Sequence, residues 1–212
     1  MIDVHVIISP ERAEFHDRCF KSLENQPVNL FKVPKQASIS MGRMIGFSLG
    51  DSEFVSLVDD DDWVEEGAFQ ACLDYLIANP EIQAVFTSER RHPIDGSEPI
   101  IIPAIDDDEW SFNKMRNFHP YVHHLVVMRR ACVTKHLHIL DKFPNIGDQA
   151  LYHEVAKENP FVHLPIVGYN WVHHKDQVTR KGVSSEWEKY IMWDKYHDHP
   201  MFFMIDQKGF KL

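Results

Sequence analysis

The chain has 212 residues, enough for one substantial domain with a buried core, and its composition, 44% hydrophobic and 25% charged, excludes disorder and a fibrous repeat. A formal net charge of -10 argues against broad attraction to nucleic acid or to an anionic membrane surface. Cys19, Cys72 and Cys132 are odd in number and far apart, so neither a disulfide framework nor a zinc knuckle is indicated, and a reducing cytoplasm fits best.

The opening "MIDVHVIISPER" has no basic leader followed by an apolar core, and no later run approaches a membrane span; a soluble, unexported protein is expected. Val4 to Ile8 then reads as a buried strand. From Glu11 to Glu24, Phe15, Cys19 and Leu23 fall at i, i+4 and i+8, one face of a helix. "NLFKV" is a second, weaker strand. Met41 to Leu49 predicts a short helix with Met41, Ile45 and Leu49 aligned. Phe54 to Val58 predicts a third strand, and Glu66 to Asn79 a helix packed through Phe69, Leu73 and Leu76. Ala84 to Thr87 is a fourth strand. Strands and helices alternating in this way predict an α/β protein with a mostly parallel sheet covered by helices on both faces.

From about Arg90 the pattern changes. "RRHPIDGSEPIII" predicts a hairpin around Asp95 and Gly96, and the stretch through "EWSFNKMRNFHPY" is polar and aromatic without clean periodicity. "HLVVMRR" reads as a strand, and Asp148 to about Lys157 as a helix stopped by Asn159-Pro160. Two β-like runs, "FVHL" and "PIVGYNWV", follow, then an aromatic helix "SEWEKYIMWDKY".

Asp59 to Asp62 come directly after the third strand. Ligands of a parallel sheet sit beyond the carboxyl ends of its strands, so these four side chains are delivered to a binding crevice. Carboxylates so close repel one another unless a cation or strong donors offset them. A hard divalent cation such as Mn2+ or Mg2+ takes oxygen ligands and bridges readily to phosphate. The competing reading is an acidic loop capping the helix that opens near Glu65. The place of the run, after an apolar strand, favours a metal and nucleotide site.

The order "VIISPER", "FKSLENQ", "MGRMIGFSLGDSEFVSLVDDDDW" and "EEGAFQACLDYL" resembles the front half of the family 2 glycosyltransferases of the GT-A fold. The match runs from about Val4 to Tyr75, with later matches at "NIGDQALYHEV" and "GYNWVHHKDQVT". The resemblance implies a Rossmann-like GT-A domain over the whole chain, residues 1–90 forming a nucleotide-sugar half and 91–212 an acceptor-side half with a small antiparallel portion. It implies Asp59 and Asp61 as the outer members of a D-x-D motif. Asp61 would be the metal ligand and Asp59 would lie nearer the ribose, with Asp60 and Asp62 as secondary candidates. Arg12 and Arg43 fall where that family faces the nucleotide, and a guanidinium fork suits diphosphate oxygens. Asp148 falls at the catalytic base, although Gly-Asp before a helix also suits a plain cap. His174, preferred over His173, falls where a further metal ligand is supplied.

The activity so implied is inverting transfer of a hexosyl or pentosyl group from a nucleotide diphosphate sugar to an acceptor hydroxyl, with Mn2+ or Mg2+ as cofactor. "NLFKVPKQASIS" lacks the acidic residue that in that family contacts the base, so the base stays open, with a UDP-sugar favoured. A compact bacterial or phage enzyme would have this form, acting in the cytoplasm or the host cytoplasm. The acceptor is a saccharide or a hydroxymethylated DNA base. Trp110, Phe112, Phe118 and Tyr121 offer stacking surfaces, with Lys114, Arg116, Arg129 and Arg130 nearby; the competing reading is that the aromatics are core. Two other classes remain. A metal-dependent nucleotidyltransferase would use clustered aspartates, but the chain has no glycine-rich phosphate loop. A non-catalytic cation- or carbohydrate-binding module would have no nucleotide site.

Overall fold

A computed structural model of the protein describes residues 1–102, 122, 124–158, 161–175, 177, 188 and 203–205. The aromatic stretch with Trp110, Phe112, Lys114, Arg116, Phe118 and Tyr121 lies outside the described residues, as does the expected aromatic helix apart from Glu188.

The front half follows the expected alternation. Strand β1 (Ile2–Ile8), helix α1 (Ala13–Leu23), strand β2 (Val28–Pro34), helix α2 (Ile39–Phe47) and strand β3 (Phe54–Asp59) place β1 centrally, parallel to both β2 and β3. A two-residue strand β4 (Trp63–Val64) and helix α3 (Ala68–Ala78) follow. Strand β5 (Ala84–His92) runs five residues beyond the expected Thr87, because its far end makes the hairpin with β6 (Ile100–Ile102). Gly96 turns that hairpin with φ +73°, a conformation that suits glycine.

Strand β7 (Val126–Arg129) passes directly into helix α4 (Arg130–His136), and helix α5 (Gly147–Ala156) leads to strand β8 (Phe161–Val172). The two β-like runs expected here are one strand, and β9 (Phe203–Ile205) pairs parallel to it. The sheet order is β2-β1-β3-β7-β5-β8-β4. β7 is antiparallel to both neighbours, β3 and β5, while β8 runs parallel to β5 and antiparallel to β4. The sheet is therefore mixed, with a parallel arm on the β2 side.

Both faces are buried with a period of two. Val58, Val127 and Val85 pack towards α1 and α3, while Val55, Leu57, Val126, Met128 and Phe86 pack towards α2 and α5. Three residues, Asp60 to Asp62, separate β3 from β4, although β4 stands four places from β3 in the sheet order. In a flat sheet four strand spacings amount to ~19 Å, whereas four residue steps reach at most ~14 Å. The sheet therefore curls, and the aspartate run bridges the curl. Among the described residues no helix is long and apolar enough to cross a membrane.

The aligned Met41 and Ile45 of helix α2 do not form its buried face. Ser38 caps it, accepting from the Met41 N–H at 3.1 Å, so it starts two residues earlier than expected. Its inner face is Ser40, Gly42, Arg43, Gly46 and Phe47, whereas Met41 and Ile45 are 44% and 38% exposed. The apolar stripe thus faces outward because close approach to β1 requires small residues. A Cβ on Gly42 would come within 2.7 Å of Ile7, and one on Gly46 would overlap the ring of His5, which is buried and packed edge-on against Phe47. This approach carries Arg43 to the carboxyl ends of the strands. Gly46→Ala is expected to destabilise the fold by ~1–3 kcal/mol, the usual cost of overpacking, read as a lower urea midpoint at unchanged slope; an unchanged midpoint would mean that His5 and Phe47 separate freely.

Candidate active site

The four aspartates are sorted into four environments. Asp60 turns back towards α1, where its Oδ2 accepts from the Ser9 N–H at 2.6 Å and bonds His16 Nε2 at 3.0 Å. Arg12 Nη1 stands 3.0 Å from its other oxygen. At 1% exposure, with Oδ2 hydrogen-bonded and Oδ1 beside the Arg12 guanidinium, Asp60 is held against the β1 end and α1 and not in the open as a nucleotide contact would be. Its work is to tie the β3 end to the β1 end.

Asp61 Oδ2 is 2.6 Å from Arg12 Nη1 and 2.7 Å from His174 Nε2. The 3-10 turn Pro10–Arg12 at the end of β1 places that arginine. Asp62 Oδ1 accepts from the Val172 N–H at 2.8 Å, while its Oδ2 has no hydrogen-bond partner among the described residues. Burial, then the charges of Asp61 and Asp59, push the Asp62 carboxyl well above the usual carboxylate range. The backbone N–H of Asp59 donates to the Tyr169 hydroxyl at 3.1 Å, and its side chain remains partly open. Burial opposes ionisation of Asp59, but Arg43, then His124 and Arg12, outweigh it and hold the carboxyl below its ordinary value.

Arg43 is 5% exposed and lies between two carboxylates, with Nη1 2.5 Å from Asp148 Oδ1 and Nη2 3.5 Å from Asp59 Oδ1. Burial disfavours its charge, yet Asp148 and Asp59 more than offset that and raise its pKa, so it is a permanent cation. His124 Nε2 stands 4.0 Å from Asp59 and 3.9 Å from Asp148. Asp148 itself lies in the first turn of α5 and is 7% exposed. Arg43 and His124 therefore join the aspartate run to Asp148 in one cluster.

Ligand oxygens of Asp59, Asp61 and Asp62 lie within 4.8 Å of one another. All-oxygen donors, partly buried, with an unpartnered Asp62 oxygen and raised Asp62 pKa, fit a hard divalent cation. Sequence reading placed His174 among the ligands; here its Nε2 is bonded to Asp61 and its ring lies 4.9 Å from Phe15. It also held Asp62 as a secondary candidate and missed His124, Tyr169 and His16. Of these, Tyr169 sits inside the quoted "GYNWVHH" run, but nothing in the chain before folding shows that its hydroxyl meets Asp59.

Arg129 and Arg130 stand elsewhere. Arg129 donates to the Ile82 and Leu76 carbonyls, and Arg130 donates to the Ser52 and Phe47 carbonyls and pairs with Asp3 at 2.5 Å. Both are at the Phe54 end of β3, opposite the aspartates, so they are structural and do not serve an acceptor at this site.

No family model matches the chain. It is 24% identical over 166 residues to a chondroitin synthase of Pasteurella multocida (strain Pm70), a match covering 76% of this chain and 16% of that protein. The structure superposes on S. aureus TarS 1-349 in complex with UDP-GlcNAc with a TM-score of 0.65 at 11% identity, covering 90% of this chain and 64% of TarS 1-349. Against another TarS 1-349 crystal structure the TM-score is 0.62 at 12% identity, covering 81% of this chain and 60% of the other. The chain thus spans about a sixth of the synthase and less than two thirds of these TarS chains. The mixed, curled sheet with a carboxylate cluster beyond β3 is the GT-A fold of the glycosyltransferases. Within that fold, the order of motifs resembles family 2.

The raised pKa of Asp62 has a consequence for stability. A carboxyl that holds its proton more tightly when folded costs the fold nothing at low pH and weakens it as pH rises above the unfolded value, ~3.9, until the folded pKa is passed. Asp62→Asn keeps the Val172 bond and removes the charge. It is expected to raise the thermal midpoint in EDTA at pH 7.5 by a few degrees, with the gain shrinking towards pH 4, and to diminish the further rise given by Mn2+. A variant no more stable than the parent at pH 7.5 would show that the buried charge costs nothing.

Proposed function

We propose that the protein is a metal-dependent, inverting glycosyltransferase that moves a sugar from a nucleotide diphosphate donor, a UDP-sugar for preference, to a saccharide hydroxyl. The observation that carries the reading is the carboxylate cluster of Asp59, Asp61 and Asp62 at the end of β3 in a GT-A fold, facing Asp148 across Arg43. The UDP-GlcNAc in the TarS complex supports a uridine donor. A saccharide acceptor is favoured by the relative's name, chondroitin synthase, by the net charge of -10, and by the commitment of Arg129 and Arg130 elsewhere. A hydroxymethylated DNA base is the weaker reading.

Asp59, Asp61 and Asp62 would hold the cation, which when bound supplies positive charge opposite the diphosphate. Arg12, beside Asp61, is placed to meet diphosphate oxygens with its fork. Asp148 is the general base. The acceptor oxygen attacks the anomeric carbon as its proton passes to an Asp148 oxygen, and the bond from that carbon to the diphosphate oxygen breaks on the opposite face. Arg43 holds the base in place through one oxygen and keeps the other available.

The test is a panel of UDP, GDP, CDP and dTDP with and without Mn2+, followed by transfer from UDP-sugars to oligosaccharides. UDP with Mn2+ at about a hundred times its dissociation constant should stabilise the parent by ~2.7 kcal/mol, and Asp61→Ala should abolish that gain. Asp148→Asn should lower transfer by at least ~100-fold while the donor-dependent gain persists. Cation binding with no nucleotide effect would instead make the chain a binding module, and nucleotidyl transfer with no glycosyl product would make it a nucleotidyltransferase.

A further inference from the structure

We infer that Glu188, in the segment that follows β8, is a positioning residue for Asp148, clamping the turn from which α5 starts; this rests on Asp148 being the base. Helix α5 has no cap of its own. Ile146 precedes it, its side chain has no oxygen, and no side-chain bond caps the helix at that position. Glu188 supplies a carboxylate from far along the chain. Its Oε2 accepts from the Asn145 N–H at 2.9 Å and the Ile146 N–H at 3.1 Å, and its Oε1 accepts from the Asn145 side-chain amide. At 7% exposure this carboxylate is buried. A negative charge there also lies at the positive end of α5, where it is favourable.

The same turn is also held by α2. The Ser40 N–H donates to the Pro144 carbonyl at 3.1 Å, and the Ser40 hydroxyl donates to the Phe143 carbonyl. Gly147 lets Ser40 sit this close, since a Cβ there would overlap the Ser40 oxygen. Asp148 is the next residue, and Arg43 of the same helix α2 grips it at 2.5 Å. Ser40 and Arg43 therefore fix the turn and the base against α2, and Glu188 fixes the turn through its backbone N–H groups. Without Glu188, the part-buried Asn145 N–H and the buried Ile146 N–H lose their acceptor, and the turn is free to shift. A base displaced by ~1 Å loses on the order of a hundredfold in rate.

A residue that merely anchors its segment would behave differently from a clamp on the base. The experiment compares Glu188→Ala and Glu188→Gln with the parent in three readouts: kcat for transfer, the Mn2+–UDP thermal shift, and hydrogen–deuterium exchange of the peptide spanning 143–152. Glu188→Ala should lower kcat at least about tenfold, leave the Mn2+–UDP shift intact and speed exchange within 143–152. Glu188→Gln retains an acceptor oxygen for the two backbone donors and should recover most of kcat and protection. A Glu188→Ala kcat within about twofold of the parent, or exchange no faster at 143–152, would overturn the inference. So would loss of the Mn2+–UDP shift together with faster exchange throughout, the mark of general destabilisation. If the parent itself transfers nothing, the functional reading has failed, and the exchange arm still decides the clamp.

Discussion

Four adjacent carboxylates set the constraint that the rest of this structure answers. Two like charges ~5 Å apart repel by ~3 kcal/mol at an effective dielectric of ~20, so a run of aspartates cannot be buried as a block. The chain separates them by direction. Asp60 goes back to the β1 end and α1, Asp61 to Arg12 and His174, Asp62 to the backbone of β8, and Asp59 to Arg43. Two of these counter-charges depend on local devices: the Pro10–Arg12 turn for Arg12, and the close seat of α2 on β1 for Arg43. The glycines of α2 are thus as much part of the electrostatics as the arginine they deliver.

The curl of the sheet does the remaining work. Because three residues must span from β3 to β4, β8 is drawn against the aspartate loop, where Tyr169 and Val172 hold Asp59 and Asp62 by their backbone and side chain respectively. The loop is fixed at both ends before any ligand arrives, so its oxygens are gathered without the entropy loss a free acidic loop would incur on binding. The residual repulsion is concentrated on Asp62, whose second oxygen has no hydrogen-bond partner among the described residues.

The strands β1, β3 and β5, the Asp95–Gly96 hairpin and the placing of the aspartates beyond β3 were all legible in the sequence, because period-two burial and turn chemistry are local signals. The facing of helix α2 is not legible from its apolar stripe, since its inner surface is made of Ser40, Gly42, Arg43, Gly46 and Phe47 while Met41 and Ile45 look outward. β7 was found as a strand but not as the antiparallel insertion between β3 and β5, a long-range choice that alternation does not encode. Within the site, residue types were legible and directions were not. Nothing in "DDDD" distinguishes Asp60, turned away, from Asp62, turned in. His124, Tyr169 and Glu188 reach their partners only through the folded topology.

The contacts that complete the aspartate loop span very different distances along the chain from those that build the sheet around it. Asp62 meets Val172 across 110 positions and Asp61 meets His174 across 113, whereas β1 pairs with β2 through one short helix. Loop-closure entropy makes contacts of the first kind late and slow. In a refolding chain the parallel arm is expected to condense while the four carboxylates are still in water, their repulsion screened, and the loop to close only when β8 docks. The crevice is thus the final seam of the fold, and a chain halted just short of it would carry near-native secondary structure with an open, highly charged edge.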